Sequence, residues 1–409
     1  MKYSIVIPTY NNCENYLKPC IDSIIKYTDM TSVELVVSAN GCTDNTRQYL
    51  DYLKTAIPNL RIVWNDEALG FAKATNAGIK VATTDKIVLL NNDTVLLEQS
   101  KNKWLERLDQ GDICGVLPQY SDITKRWFLV FFCVMIQRKV FDKVGLLNED
   151  YETGGNEDIE FCLKAQDAGF VLEECGSKGD FPIYHHAEGT MHDQALVPDW
   201  DNKFLLNQLK LAQKYNLDWY RWRLSNNYER AVFLKGDAVF PRETQRYEWA
   251  NNNIYGNSIL EIGCSTGYGS QFFDSELHYL GLDYDPIIVD VAKNQEWGRN
   301  REFHRADINT YNLPSVDTII AFEVIEHLDN GLEIVKLLQK HCKVLLITVP
   351  HNEPKNFWGE HHKLHGLTET NFPGFEFEYV DEHGQITKEL QPITEQNRCN
   401  LMLCKYSAQ

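Results

Sequence analysis

Short apolar runs alternate with amphipathic stretches along the N-terminal part of this chain. Tyr3–Ile7, Glu34–Ser38, Leu60–Asn65 and Lys86–Leu90 are short and rich in aliphatic residues, as strands covered on both faces are. Between them, Asn15–Tyr27, Thr43–Ala56 and Ala72–Val81 predict helices. Strands alternating with helices at these separations predict a parallel sheet, with ligands expected at the carboxyl ends of its strands. Trp127–Ile136 is the most apolar segment and is expected to form one buried strand, and a long helix over about Asp201–Tyr215 closes this half. The stretch Asn216–Arg246 is rich in Trp, Tyr and Arg rather than Gly or Ser, which predicts packed connecting helices and not a floppy linker. The alternation restarts at Ser258–Ile262 and continues to the end. The expected fold class is therefore α/β with two Rossmann-like domains, over residues 1–217 and 246–409, joined by a packed helical linker over 218–245.

Bulk properties narrow the picture. A chain of 409 residues is too long for one ordinary domain and long enough for two with substantial cores. With 43% hydrophobic and 24% charged residues, its composition is that of soluble globular protein. A net charge of -18 argues against a nucleic-acid partner, since such proteins usually present a basic face. The 11 cysteines are odd in number, include no CxxC pair and sit partly in apolar runs such as those around Cys133 and Cys342, so a reducing, cytoplasmic setting is expected. The apolar run Ile5–Ile7 is cut by Pro8, too short for a signal-peptide core, and no run approaches the roughly 18 residues of a membrane span. Peripheral contact with a membrane surface stays compatible with this pattern.

The predicted carboxyl ends of the first strands carry Pro8-Thr9-Tyr10-Asn11-Asn12, Asn40-Gly41-Cys42-Thr43-Asp44 and Asn91-Asn92-Asp93-Thr94. Asn65, Gly70-Phe71-Ala72, Asn76 and Gly78 complete an ordered series. Together these segments resemble family 2 glycosyltransferases of the GT-A fold over roughly residues 1–215. The resemblance implies a nucleotide-sugar donor held by Pro8, Tyr10, Asn40 and Asn92, with Tyr10 and Asn40 flanking the base. A leaving nucleoside diphosphate carries charge that a divalent ion, Mn2+ or Mg2+, has to neutralise, and a hard cation favours carboxylate oxygen. The family's Asp-x-Asp reads Asn91-Asn92-Asp93 here, so Asp93 alone supplies a charged ligand. Ile183-Tyr184-His185-His186-Ala187-Glu188-Gly189-Thr190 is similar to the segment by which relatives bring an imidazole to the metal, which implies His185 as a second ligand, with His186 as the lesser candidate. Gly154-Gly155-Asn156-Glu157-Asp158 resembles the motif heading a helix beneath the acceptor. An inverting transfer needs a base for the acceptor hydroxyl, and the motif implies Asp158, with Glu157 as the alternative.

Further on, Ile259-Leu260-Glu261-Ile262-Gly263-Cys264-Ser265-Thr266-Gly267-Tyr268-Gly269 is a strand entering a glycine-rich turn that lets the backbone approach a ligand closely. The turn alone does not separate dinucleotide from S-adenosylmethionine binding. Glu261, Asp283 at the end of the next strand, Ala306-Asp307-Ile308 and Phe322-Glu323-Val324-Ile325-Glu326-His327-Leu328 together resemble class I methyltransferases over roughly residues 225–409. That resemblance implies S-adenosylmethionine held by Glu261, Gly263, Gly267, Asp283, Asp307 and Glu323. Methyl transfer to oxygen needs a base, for which His327 is the candidate; His361, His362 and His365 have a spacing suited to a metal if helical, with no carboxylate partner identified in the sequence.

The expected whole is a bifunctional glycan-building enzyme: a metal-dependent inverting sugar transferase acting on a saccharide acceptor, lipid-linked or free, fused to a methyltransferase for a sugar hydroxyl in the same glycan. The alternative is a non-catalytic nucleotide- or glycan-binding N-terminal half attached to a methyltransferase for another small molecule or lipid.

Overall fold

The computed structural model divides into two compact units, Met1–Leu224 and Ser225–Gln409, and describes residues 1–176, 180–186, 199–227, 232–355, 357 and 361–408.

In the first unit, β1 (Tyr3–Thr9), α1 (Lys18–Tyr27), β2 (Val33–Asn40), α2 (Thr46–Ala56), β3 (Leu60–Asn65), α3 (Phe71–Val81) and β4 (Lys86–Leu90) form the alternating half. There follow β5 (Thr94–Leu96), α4 (Lys103–Leu108), β6 (Ile113–Gly115), β7 (Pro118–Ser121), β8 (Arg126–Leu129), β9 (Cys133–Gln137), α5 (Arg138–Val144), α6 (Glu157–Asp167), β10 (Leu172–Glu174), β11 (Ile183–His185), α7 (Trp200–Tyr215) and α8 (Leu217–Asn227). The main sheet runs β10-β6-β9-β4-β1-β2-β3. Strands β1 to β4 are parallel, and β9 lies antiparallel between β4 and β6. The run Ile5-Val6-Ile7 is buried on both faces, which is why it lacks alternation: Ile5 and Ile7 join the core on one side and Val6 the core on the other. From β1 the chain moves out through β2 and β3, then returns to β4 on the opposite side, so a crevice opens at the carboxyl ends between β1 and β4. A separate antiparallel ribbon pairs β5 with β11 and sets His185 opposite Thr94.

One expectation fails. Trp127–Ile136 is not a single strand: β8 pairs with β7 in a small hairpin, the chain turns at residues 130–132, and β9 then enters the main sheet. The apolar run is divided between two sheets, β8 pairing with β7 and β9 with β4 and β6, so its hydrophobicity marks burial of the segment and not one continuous ladder. Trp127 is correspondingly exposed.

In the second unit, α9 (Pro241–Asn253) precedes β12 (Ser258–Ile262), β13 (His278–Asp283), α10 (Pro286–Asn294), β14 (Arg301–Arg305), β15 (Thr318–Phe322), α11 (Gly331–Leu338), β16 (Val344–Pro350), β17 (Glu376–Val380), β18 (Ile386–Thr387) and β19 (Leu401–Ser407). The sheet order is β14-β13-β12-β15-β16-β19-β17-β18. The first five are parallel, while β19 runs antiparallel to both neighbours. The order reverses between β12 and β15, which places a second crevice at their carboxyl ends. Asp285 starts α10 by accepting the Ile287 and Ile288 N–H groups. Within the expected linker, α8 and the start of α9 are helical, and residues 232–240 between them have no regular structure yet bury Phe233 and Leu234. Among the described residues, no helix is long and apolar enough to cross a membrane.

Candidate active sites

In the first crevice, Asn91-Asn92-Asp93 follows β4 directly. The Asn91 N–H donates to the Phe132 carbonyl (2.9 Å), and Asn92 Nδ2 donates to Thr9 Oγ1 (2.9 Å), tying the loop to the end of β1. The β5–β11 ribbon then brings His185 back, so that its Nε2 lies 3.2 Å from Asp93 Oδ1. Its ring stacks on Phe132, centroids 4.3 Å apart. Both residues are largely buried, and neither facing atom has a hydrogen-bond partner among the described residues. Two ligands on adjacent corners of an octahedral ion stand about 3.0 Å apart, so this spacing fits a shared cation. His186 points elsewhere, its ring edge-on to Tyr184 at 4.8 Å. Residues 187–190 of the same motif lie outside the described residues.

The neighbouring loops form an open cleft of about 410 Å³ lined by residues 11–15 and 43–45. Asn11 and Asn12 have φ of 51° and 55°, a left-handed turn that asparagine tolerates. Asn11 Oδ1 accepts the Thr43 N–H (2.8 Å), and Asp44 Oδ2 accepts the Cys13 N–H (2.9 Å), so the two loops brace each other. Pro8 is buried at the end of β1 and Tyr10 is half-buried beside the cleft. Asn40 is largely buried and its amide is already occupied: Oδ1 accepts the Leu69 N–H at 2.6 Å and Nδ2 reaches the Gly70 carbonyl. It positions the loop instead of presenting its amide to a base.

Asp158 and Glu157 head α6, entered through left-handed Asn156. Burial raises both carboxyls, and the neighbouring Asp158 charge raises Glu157 further. Asp158 accepts the Ile159 N–H (2.8 Å) and the Phe131 N–H, while Glu157 Oε2 has no partner among the described residues. The pair thus favours an ionised Asp158 beside a protonated Glu157. Phe131 touches Asp158 and Phe132 carries the His185 ring, so one dipeptide links the carboxylate pair to the Asp93–His185 pair.

The second crevice is a cavity of about 1020 Å³. Gly263, Asp283, Asp307, Glu323 and His327 all line it. Gly263 has φ +72°, and a Cβ there would stand 2.4 Å from Val324 Cγ2. Asp283 ends β13, where Oδ2 accepts the Ser265 N–H (3.0 Å) and Oδ1 the Asp285 N–H (3.1 Å). Glu261 and Gly267 are not in the wall. The buried Glu261 carboxylate takes hydrogen bonds from the Tyr247 hydroxyl (2.5 Å) and from Tyr279, and burial pushes its pKa up to about 7. Its partner Tyr247 does line the cavity. Gly267, at φ +78°, gives room to Phe303 and Trp297.

Sequence reasoning missed Arg246. This buried side chain lines the cavity, donating from Nη1 to Glu323 Oε1 (3.0 Å) and from Nη2 to the Tyr268 hydroxyl (2.9 Å). Glu323 itself has φ +52°, a strained conformation for a residue with a side chain. The histidine cluster is not helical; His362 instead pairs with Glu353 and meets His327 across the cavity rim.

Each unit is thus an α/β domain with a polar cleft at the switch point of its parallel strands, the arrangement of two group-transfer domains in one chain. Residues 4–156 match the family model of Glycosyl transferase family 2, and residues 260–344 match that of a Methyltransferase domain. The chain therefore joins a family 2 glycosyltransferase domain to a methyltransferase domain. It is similar to the glycosyltransferase AglE of Haloferax volcanii (33% identity, covering 41% of this chain and 62% of that protein). It is also similar to the teichoic acid poly(glycerol phosphate) polymerase of Staphylococcus epidermidis (29% identity, covering 84% and 42%). The chain spans less than two thirds of the length of either relative. Among solved structures it is similar to the mannosyltransferase PcManGT of Pyrobaculum calidifontis in complex with GDP-Man and Mn2+, with a TM-score of 0.41 and 17% identity over 52% of this chain and 64% of that one.

Proposed function

We propose that this chain is a bifunctional glycan-building enzyme, transferring a sugar from a nucleotide-sugar donor to a saccharide acceptor in its first unit and methylating a sugar hydroxyl in its second. The observation that carries the first activity is the buried Asp93–His185 pair, 3.2 Å apart with neither facing atom hydrogen-bonded among the described residues. Asp93 and His185 would hold a divalent ion, Mn2+ or Mg2+, which when bound neutralises the charge of the departing diphosphate. The loops of residues 11–15 and 43–45 would hold the nucleotide. Asp158, kept ionised by two backbone N–H groups, would take the acceptor's proton in an inverting attack.

In the second unit the wall fits S-adenosylmethionine, which when bound supplies an electrophilic methyl group. Asp283, fixed by Ser265 and Asp285, would accept hydrogen bonds from ribose hydroxyls, and Gly263 lets the backbone approach the ligand. Asp307 and Glu323 complete the polar wall, and His327 is the imidazole placed to assist loss of the acceptor's proton. Relatives named for sugar transfer and teichoic acid assembly support a polysaccharide product. None of the 11 cysteines is joined in a disulfide among the described residues, which supports work in a reducing compartment such as the cytoplasm.

The test is nucleoside-diphosphate release from UDP-, GDP-, dTDP- and CDP-sugars, with Mn2+ or with chelator, for the intact chain and for Asp93→Ala. Metal-dependent release from one donor class, lost in Asp93→Ala, is the expected result. Release that is indifferent to both chelator and substitution would overturn the assignment of this pair.

A further inference from the structure

Two histidines in the cavity wall of the second unit, with a buried glutamate beside them, form a group that methyl-donor binding does not use. After β15, the turn Ile325–His327 buries Glu326 and leaves His327 exposed, and the chain after β16 returns His362 to meet them. One ligand atom from each, a carboxylate oxygen and two imidazole nitrogens, lies within 4.8 Å of the others. The two rings meet edge to face with centroids 4.6 Å apart. Glu326 is 1% exposed, and its Oε2 has no hydrogen-bond partner among the described residues. A buried carboxylate among other acids is costly unless a cation or a proton accompanies it. Behind His362, the buried Glu353 carboxylate accepts the Nδ1–H at 2.6 Å. That bond leaves Nε2 as the nitrogen able to ligate, and it is the carboxylate–imidazole pairing that commonly orients histidines on metals.

We propose that Glu326, His327 and His362 form a divalent-cation site at this cavity, the two histidines standing in its wall and Glu326 buried beside them, with Glu353 as the residue that orients His362. Two imidazoles and one carboxylate suit Mn2+, Fe2+ or Zn2+ better than Mg2+. Donors on one such ion stand roughly 3.0–3.5 Å apart, which side-chain rotation at an exposed His327 can supply. The role of the ion rests on the methyltransferase reading. A saccharide hydroxyl bound to the ion loses its proton to bulk water, and the resulting alkoxide oxygen forms the O–C bond as the S–C bond of the sulfonium breaks, its electron pair staying on sulfur. His327 then serves as a ligand in place of a direct base.

The test uses the full chain carrying Asp93→Ala and His185→Ala, which removes the other candidate ligand pair, and reads Mn2+ binding by electron paramagnetic resonance without methyl donor. One equivalent is expected, weakened at least tenfold by Glu326→Gln or His362→Ala and about 10–100-fold by Glu353→Gln, with circular dichroism showing each variant folded. Manganese-edge X-ray absorption needs no further substitution and should show two imidazole nitrogens. No Mn2+ bound at millimolar concentration, binding indifferent to all three substitutions, or an imidazole-free spectrum would overturn the site. Failure of the methyltransferase reading would look different: no S-adenosylhomocysteine binding in any form of the chain, whatever the ion does.

Discussion

Glu160 sits one turn into α6, and its 1%-exposed side chain gathers the elements that support the carboxylate pair at the head of that helix. It accepts from Asn148 Nδ2 (2.8 Å), Lys214 Nζ (2.5 Å) and the Tyr215 hydroxyl (3.0 Å), and also from Tyr151. Burial alone would raise its carboxyl, but these donors outweigh it and hold the pKa at about 2, from 4.5. Such a depression corresponds to about 3 kcal/mol of stability at neutral pH. Lys214 is 52% exposed, so solvent screens part of that pair and leaves about 2–3 kcal/mol. Because the folded value lies below the unfolded one, the contribution is fully present above pH 4.5 and is lost as pH falls toward 2. Glu160→Gln keeps the shape and removes the charge. In a unit of this size it should lower one calorimetric transition by roughly 4–12 °C at pH 7. S-adenosylhomocysteine should raise the other transition and so identify it. At pH 3.5 the difference between the two proteins should shrink by about 1 kcal/mol. A shift under 1 °C at neutral pH, or a difference that does not shrink on acidification, would refute the reasoning.

Other substitutions test the proposed chemistry. Asp158→Asn should lower kcat for sugar transfer by about 10²–10⁴-fold, with Glu157→Gln costing under tenfold; equal losses would undo the division of roles. Because burial raises the Asp158 carboxyl and a base works deprotonated, activity should fall with decreasing pH well above the ordinary aspartate range. An acidic limb near pH 4 in the kcat/KM profile would contradict this. His185→Ala should raise the Mn2+ requirement for nucleotide release at least roughly tenfold, and an unchanged requirement would remove the imidazole from the site. Gly263→Ala meets both a left-handed backbone and Val324, and should weaken S-adenosylhomocysteine binding at least tenfold by titration calorimetry; unaltered affinity would mean that this turn does not approach the ligand.

The parallel strands were legible because fully covered strands are continuously apolar: Ile5–Ile7 and Ile87–Leu90 read as strands once helical patterns flank them. The same signal failed at Trp127–Ile136, where apolar residues fill a hairpin strand, a turn and a sheet strand in succession, and hydrophobicity does not mark which partner each piece pairs with. Asp93 and His185 lie far apart in sequence, and nothing local in either segment says that β11 pairs with β5; only family resemblance joined them. Arg246 had no signal at all, being one arginine in an aromatic, basic linker. Glu326 was in plain view beside His327, but its partners depend on Glu353 and His362 meeting nine residues apart in sequence, which no local periodicity announces.

The β5–β11 ribbon gives the first unit an order of assembly. A chain emerging from the ribosome has supplied all four parallel strands, the nucleotide-side loops and Asp93 by the time Leu96 appears. It lacks the imidazole until β11 has been made and has folded back in register against Thr94. Capture of an ion by Asp93 and His185 together would therefore report that this late closure has formed, and a partly synthesised chain would present the cleft well before it could present the pair.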